Sequence, residues 1–259
     1  MLAAISTADT SGAGTSDPGA CVCCRYYLSD RAFTCRAGRS WYVLDLTHDS
    51  YLRLDRSAFE AMLPLIHGGE ALRNICAEVS ADESVAALEL ALQLQSRGIL
   101  TNTAVNVHTP RQAATALPAR SIVTCASRGL AGRLTAIPRF LRACRRASRA
   151  LAECTLLENF CRLRARKWAH TGLPAFDLAK AQRLALRFIK LRPLYPRDYL
   201  CLFDSLALLE FLALHGLCPD FVFGVTDDPF QAHCWVQHAD CALNESVEVT
   251  SLYTPIMVI

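Results

Sequence analysis

Short apolar runs near the start of the chain predict β-strands. Three such runs are rich in aromatic and aliphatic residues, and they lie at Arg25–Leu28, Ser40–Leu46 and Tyr51–Leu54. The four residues Thr-His-Asp-Ser between the second and third runs are typical of a turn. These two strands are therefore expected to form a hairpin.

Helical patterns follow the hairpin. Three helices are predicted: one that Asp55 caps and that runs to about Ile66 before Gly68-Gly69, one over Glu70–Val79, and one that Asp82 caps and Gly98 ends. In the third helix, Val85, Leu88 and Leu92 fall on one face. With a last short strand at Ile99–Thr101, the elements of residues 22–101 predict a small winged-helix-like domain.

The middle of the chain is predicted to be a linker followed by helices. Residues 102–130 have no strong period and contain scattered Pro, Ser and Thr, which predicts the linker. From Arg133 to about Arg192, basic residues alternate with Leu, Phe and Ala as in amphipathic helices. Pro138 and Pro174 are expected to divide these helices. Residues 1–20 are mostly small and polar and predict a disordered tail.

The last segment predicts one buried helix and then an antiparallel meander. Asp198 is expected to cap the helix, so that Cys201 falls in its first turn. The helix carries an apolar stripe and then a stop: Leu202, Leu206, Leu209 and Ala213, then His215-Gly216. Strands are predicted at Phe221–Val225, His233–Gln237 and Ala242–Val249, with a turn at Asp227–Pro229. The chain is thus predicted to be an α+β fold whose second domain spans residues 131–259.

Charge is distributed unevenly along this fold. Sixteen of the 27 Lys and Arg residues lie between Arg133 and Arg197, against three acidic residues in the same stretch. After Arg197 there are nine Asp and Glu and no Lys or Arg. A solvated basic face on the helices explains this pattern, and attraction of an acidic peptide or polyanion is the alternative. We favour the solvated face.

Cysteine usage and the lack of targeting patterns favour the cytoplasm. The 13 cysteines are odd in number and irregularly spaced, unlike a disulfide framework. Cys21, Cys23 and Cys24 form a cluster, but no second half with ligand spacing follows, so neither a metal nor a cofactor is expected. Neither a signal peptide nor an apolar run long enough for a membrane span occurs in the sequence.

The candidate chemistry lies in the last segment. A Cys in the first turn of a helix has a lowered pKa because the helix N-terminus stabilises a thiolate, and a nearby imidazole stabilises it further. Cys201 and His233 fit these two roles, and the backbone N–H of Cys201 is positioned to bind a tetrahedral oxyanion. The group that orients the imidazole can be Asp240, Asn244 or Glu245.

A family resemblance rests on four motifs in this segment: Cys201–Leu208 with its Ser-Leu-Ala-Leu, Phe223-Gly-Val225, Pro229-Phe230 and Ala232-His-Cys-Trp-Val-Gln237. With these motifs it resembles the lasso-peptide maturation proteases, which are transglutaminase-like cysteine peptidases of bacterial gene clusters. The first block, residues 22–101, resembles the leader-recognition domain of this family, which is similar to the peptide carrier of the pyrroloquinoline-quinone pathway.

The resemblance implies an activity and a set of residues. Cys201 would be the nucleophile and His233 the base, and Glu245 stands where the family has Asp, with Asn244 and Asp240 as alternatives. A precursor's leader would add as a strand beside the first block, with expected contacts at Tyr51, Arg53, Leu54, Val85, Leu88 and Leu92. An asparagine-synthetase-like cyclase would act next, and the setting would be the bacterial cytoplasm.

Two other functions fit parts of the sequence. The same Cys–His pair could transfer an acyl group to an amine, as a transglutaminase does. A non-catalytic peptide-binding module is the other possibility, and a DNA-binding winged helix is disfavoured because the helix Asp82–Gly98 carries only Arg97 as a basic residue. No nucleic-acid partner is therefore expected. Removal of residues 1–105 is expected to raise KM for a precursor far more than it harms the chemistry.

Overall fold

A computed structural model of the chain describes residues 26–67, 81–105, 107–108, 116–122, 133–169 and 176–259. Several predicted features lie outside these residues: the tail 1–20, the cysteines at 21, 23 and 24, the Gly68-Gly69 stop, the helix Glu70–Val79, and Pro174. Within the described residues, no helix has the length and apolar character needed to cross a membrane.

Strands and helices follow one another in separate runs along the described chain. The strands are β1 Tyr27–Ser29, β2 Ala32–Ala37, β3 Ser40–Asp45, β4 Ser50–Leu54, β5 Leu100–Thr101, β6 Val107–His108, β7 Arg120–Ser121, β8 Asp220–Thr226, β9 Gln231–His238, β10 Cys241–Ala242 and β11 Thr254–Val258. The helices are α1 Arg56–Met62, α2 Ala81–Ser96, α3 Arg133–Glu153, α4 Leu156–Ala169, α5 Leu178–Leu191, α6 Cys201–Ala213 and α7 Val247–Thr250. Two 3-10 turns follow α1 and α5, at Leu63–Leu65 and Arg192–Leu194.

The predicted N-terminal hairpin is present as β3 and β4, which pair antiparallel. Asp55 caps α1 as predicted, because its carboxylate accepts a hydrogen bond from the Ala58 N–H at 3.0 Å. The strand β2, which was not predicted, completes a three-stranded sheet in the order β2-β3-β4. The helix α2 is already formed at Ala81, so Asp82 lies inside it and does not cap it. A smaller sheet has the order β5-β1-β6.

Both faces of the sheet β2-β3-β4 are covered, and all six residues of β3 are buried. On one face, Trp41 and Val43 pack into a core with α1 and α2. On the other face, Tyr42 and Leu44 belong to the core that contains α6 and the C-terminal strands. Alternate residues of a strand point to opposite faces, so this one strand contributes to two cores. The first block is therefore packed directly against the C-terminal part.

The C-terminal sheet has the order β11-β8-β9-β10-β7. The predicted strands at Phe221–Val225 and His233–Gln237 are found as β8 and β9, which pair antiparallel around the predicted turn. The third predicted strand, Ala242–Val249, was wrong: only Cys241–Ala242 is extended, and Ser246 then caps the short helix α7. The predicted linker 102–130 supplies β6 to the small sheet and β7 to this one, beside β10.

The basic middle segment is helical, but it breaks elsewhere than predicted. Pro138 lies inside α3 and does not divide it. Proline removes one backbone hydrogen bond, and the buried face of Phe140, Ala143 and Ala147 outweighs that loss. The break falls at Thr155, where Thr155 and Glu158 each accept a hydrogen bond from the other's backbone N–H, at 3.2 and 2.7 Å. This reciprocal capping box starts α4.

Part of the basic charge is used inside the fold. The carboxylate of Glu210 on α6 is 1% exposed and lies 2.6 Å from Arg166, with Arg146 and Arg162 each at 3.7 Å. These arginines come from α3 and α4, so a single buried acid ties three helices together. The solvated-face interpretation therefore does not account for all of the basic residues.

Candidate active site

Cys201 is the first residue of α6, and its surroundings fix how the chain enters this helix. The predicted cap Asp198 does not cap α6; the N-cap is Leu200, which makes no side-chain cap. The helix start is held instead by Asp204, whose carboxylate accepts a hydrogen bond from the Leu200 N–H at 3.0 Å. Asp204 also pairs with Arg192, which is 3% exposed. Cys201 is thus held at the positive end of a buried helix.

The Arg192 guanidinium also orders the loop before Cys201. It donates hydrogen bonds to the carbonyl oxygens of Tyr195, Arg197 and Asp198 at 2.9–3.1 Å. The Tyr199 ring lies 4.4 Å from the same group, a cation–π distance. Neither Arg192 nor Asp204 was singled out from the sequence. Their spacing, twelve residues across a helix break, carries no recognisable pattern.

The Cys201 thiol lies against β9. Hydrogen bonds from the side chains of Cys234 and His233, in that order of strength, lower its pKa to about 4, against the opposing effect of burial. Burial alone would lower the pKa of His233, but its hydrogen bonds with Cys201 and Glu245 outweigh burial and raise the pKa to about 9. At neutral pH the pair is therefore a thiolate beside an imidazolium.

Glu245 is the acid that meets the imidazole. Its Oε2 lies 2.9 Å from Nε2 of His233, which leaves Nδ1 of the ring for the thiol. Burial opposes ionisation of Glu245, yet the hydrogen bonds from His233 and from the Ser246 N–H hold its pKa below the usual value. Its other oxygen, Oε1, accepts the Ser246 bond at 3.0 Å, so the carboxylate is fixed on both sides.

The two alternative residues lie in other positions. Asn244 accepts a hydrogen bond from the Val236 N–H at 2.7 Å and donates one to Ser205 at 2.9 Å, so its amide joins β9 to α6. Asp240, in the turn before β10, forms two hydrogen bonds with Arg120 of β7, at 3.0 and 2.6 Å. Ser205 also bonds the Cys234 carbonyl at 3.2 Å and is fully buried. It is therefore a positioning residue that the sequence motif contained but did not explain.

Two aromatic rings flank the imidazole. Trp235 shares the strand face of His233, as predicted, and is fully buried, with its ring 6.2 Å away. Its indole N–H donates to Gln237 at 2.7 Å. The Tyr253 ring lies 5.1 Å from the imidazole between ring centres. The two aromatic rings therefore restrict the space around the imidazole.

The residues expected to bind a leader divide into two groups. Val85, Leu88 and Leu92 are exposed on one face of α2, at 61%, 42% and 53%, opposite its buried Ala87 and Ala91. The expected contact residues on β4, in contrast, make contacts within the fold. Leu54 is 8% exposed within the core, and the Tyr51 ring packs on Phe230 at 5.7 Å. Arg53 reaches Asp227 at 3.5 Å, so both outer residues of β4 face the C-terminal part.

Comparison with known protein families agrees with this geometry. Residues 145–258 match the family model described as the transglutaminase-like superfamily. These residues run from within α3 to β11 and include Cys201, His233 and Glu245. The described residues thus form a mixed helix-and-sheet fold, and its C-terminal part is similar to the transglutaminase-like superfamily. This superfamily consists in general of cysteine-based enzymes, and the match is compatible with a cysteine peptidase or an acyltransferase. No curated protein and no solved structure matches the chain.

Proposed function

We propose that this protein is a cysteine peptidase that binds the leader of a ribosomally made lasso-peptide precursor and cleaves it off before macrocyclisation. One observation carries the chemistry: Nε2 of the His233 imidazole lies 2.9 Å from the Glu245 carboxylate, and the same imidazole lowers the pKa of the Cys201 thiol at the start of α6. The lasso-peptide context comes from the motifs around Cys201 and His233 and is part of the proposal. The setting would be the bacterial cytoplasm, with an asparagine-synthetase-like cyclase as the next enzyme.

Acylation uses the thiolate–imidazolium pair. The Cys201 thiolate attacks the carbonyl carbon of the scissile bond, and the resulting oxyanion accepts hydrogen bonds from donors such as the Cys201 N–H at the helix start. The His233 imidazolium gives its proton to the leaving amine, which is the new N-terminus of the core peptide. The leader remains on Cys201 as a thioester. Glu245 keeps the ring oriented throughout.

Deacylation restores the enzyme. The neutral imidazole of His233 now takes a proton from water, which attacks the thioester carbonyl. Collapse of the second tetrahedral intermediate breaks the C–S bond and releases the leader as a carboxylic acid, which loses its proton to the solvent. Cys201 leaves as a thiolate and His233 keeps the proton, so the starting ion pair is regenerated. If an amine replaces water at this step, the product is an amide, as in a transglutaminase.

Leader recognition would use β4 and α2. In the sheet order β2-β3-β4, β4 is the outermost of the described strands, and a peptide strand can pair along such an edge. The exposed apolar side chains Val85, Leu88 and Leu92 supply a surface for the leader's apolar residues. The sequence predicted leader contacts at the side chains of Tyr51, Arg53 and Leu54, but these side chains already pack or pair within the fold. The backbone of β4 would therefore bind the leader.

The test is cleavage of a candidate lasso-peptide precursor from the genome that carries this gene. Cys201→Ala is expected to abolish cleavage and leave leader affinity unchanged, whereas Cys161→Ala, an exposed cysteine on α4, is the matched control. Mass spectrometry of the products in the presence of an added primary amine distinguishes hydrolysis from acyl transfer. Retained cleavage by Cys201→Ala contradicts the proposal. If the main product is an amide of the added amine, the protein is a transglutaminase-type acyltransferase and not a peptidase.

A further inference from the structure

Asp227, at the start of the turn between β8 and β9, is hydrogen-bonded to the N-terminal hairpin β2–β3. The Tyr42 hydroxyl donates a hydrogen bond to Oδ1 at 2.8 Å, and the Arg39 backbone N–H donates one to Oδ2 at 2.8 Å. The Arg53 guanidinium lies 3.5 Å from Oδ1. The Arg39 and Tyr42 bonds, in that order, hold the pKa of Asp227 below its usual value. Both oxygens of this carboxylate therefore accept hydrogen bonds from residues of the N-terminal hairpin β2–β3.

The fit around Asp227 is close. Gly38 has φ +55°, and a Cβ placed on it would lie 2.5 Å from Oδ2 of Asp227. No larger residue could stand there without moving the carboxylate. At the other end of the turn, Phe230 stacks on Tyr42 at 5.2 Å and packs on Tyr51 at 5.7 Å. The N-terminal sheet thus holds both ends of the turn.

This turn leads into the strand that carries the imidazole. Phe230 precedes His233 by three residues. The Thr226 hydroxyl accepts a hydrogen bond from the Gln231 N–H at 3.0 Å and donates one to the Pro229 carbonyl at 2.7 Å, so the turn is internally tied. Among the described strands, β10 pairs with β9 only at Gln237 and His238. The His233 end of β9 therefore has a strand neighbour, β8, on one side only.

We propose that Asp227 is a positioning residue for His233, and that pairing of a leader strand with β4 is transmitted to His233 through Arg53 and Asp227. Arg53 lies on β4 itself, where its Nε donates to Ser40 at 2.9 Å while its other end approaches Asp227. A strand added to β4 would place its inward side chains beside Arg53 and the exposed Phe230. Leader occupancy thereby regulates the peptidase; this second part rests on the proposed function.

The first experiment needs no substrate. The rate of alkylation of Cys201 by iodoacetamide, followed by mass spectrometry of its peptide, reports the thiolate–imidazolium pair as a function of pH. Asp227→Asn is expected to lower this rate about three- to tenfold, a usual size for coupling through a second residue, and to move its acid limb to higher pH. Asp228→Asn, which changes the exposed neighbour in the same turn, is expected to leave the profile unchanged.

Two further variants separate positioning from loss of fold. Tyr42→Phe removes one hydrogen bond to Asp227 and is expected to shift the profile in the same direction but less. The double variant Tyr42→Phe/Asp227→Asn should have nearly the same alkylation profile as Asp227→Asn alone, because both substitutions disrupt the Tyr42–Asp227 hydrogen bond. A wild-type pH profile for Asp227→Asn, in protein with an unchanged circular dichroism spectrum, overturns the positioning role.

The second experiment tests the transmission. A synthetic leader peptide added in trans is expected to raise kcat for a short peptide that spans the cut site, in the wild type and in Asp228→Asn but not in Asp227→Asn. If the short peptide and the precursor are cleaved but the leader changes only KM, transmission is overturned while the peptidase stands. If the wild type cleaves neither, the proposed function fails and transmission fails with it, whereas the alkylation result still decides the role of Asp227.

Discussion

Glu245 reaches His233 from a bend and not from a strand. The carboxylate Oε2 lies 2.9 Å from Nε2 of the imidazole, and the residues between β10 and α7 form a compact turn that places it there. The Glu245 carbonyl accepts a hydrogen bond from Ser121 at 2.6 Å, which anchors the bend to β7. The extra methylene of Glu relative to Asp is therefore accommodated by a backbone that has left the sheet.

Glu245→Gln is expected to lower kcat by roughly two to four orders of magnitude, because the imidazole loses the charge that orients and stabilises its protonated form. Asp240→Asn is the matched control. Asp240 forms an exposed pair with Arg120, so this variant is expected to change kcat by less than about twofold. Steady-state cleavage of the precursor measures both. A larger loss in Asp240→Asn would reassign the acid.

The pH dependence follows from the two shifted groups. Cys201 becomes a thiolate as pH rises through about 4, and His233 loses its proton as pH rises through about 9. The reactive ion pair is thus present between these values, and kcat/KM is expected to rise through the lower one and fall through the upper one. Glu245→Gln removes a carboxylate that raises the pKa of His233, so the alkaline limb should move to lower pH. An unmoved alkaline limb would contradict this coupling.

The elements that the sequence predicted are those with a strong local signal. The hairpin β3–β4 combines two short apolar runs with a turn, and Asp55 lies directly before a helical pattern. The strand β11 was not predicted. It contains Pro255 and lies at the edge of its sheet, where proline is tolerated. The strand β7 has two residues, and only its pairing with β10 makes it a strand.

The candidate site divides in the same way. Cys201 and His233 could be found from the sequence because each sits in a motif with a recognisable helix or strand around it. The choice among Asp240, Asn244 and Glu245 could not be made, because it depends on where the bend after β10 directs each side chain. The support from Asp227 was invisible for a different reason: its partners Tyr42 and Arg39 are more than 180 residues away in the chain.

Glu210→Ala is expected to destabilise the fold by about 3 kcal/mol, at the lower end of the range for breaking a buried ion pair. The lower end applies because Arg146 and Arg162 are about 40% exposed and can regain water when the carboxylate is lost. Glu153→Ala removes an exposed Glu at the end of α3 and should cost less than about 0.5 kcal/mol. Urea unfolding of both variants measures the difference; equal midpoints would show that Glu210 does not tie the helices.

Removal of residues 1–105 is expected to unfold the remainder and not merely to raise KM, which reverses the expectation from the sequence. Leu44 and Leu46 are buried in the C-terminal core, and each such side chain contributes about 1.5–3 kcal/mol. Two or three of them approach the roughly 5–15 kcal/mol that separates folded from unfolded proteins. Near-ultraviolet circular dichroism of the truncated protein tests this. A cooperative thermal transition with wild-type kcat would restore the separable-domain interpretation.

The double role of β3 also sets the conditions for exchanging recognition domains between proteins of this kind. A foreign domain with a polar outer sheet face would present its charges to the apolar surface that Tyr42 and Leu44 now fill. It would also need a glycine at the position of Gly38, because a Cβ there would lie 2.5 Å from Asp227. Chimeras should therefore keep the inner face of β2, β3 and β4 from this chain and vary only the edge and α2. The same rule applies to a version divided into two polypeptides, whose halves would have to assemble through this face before either could function.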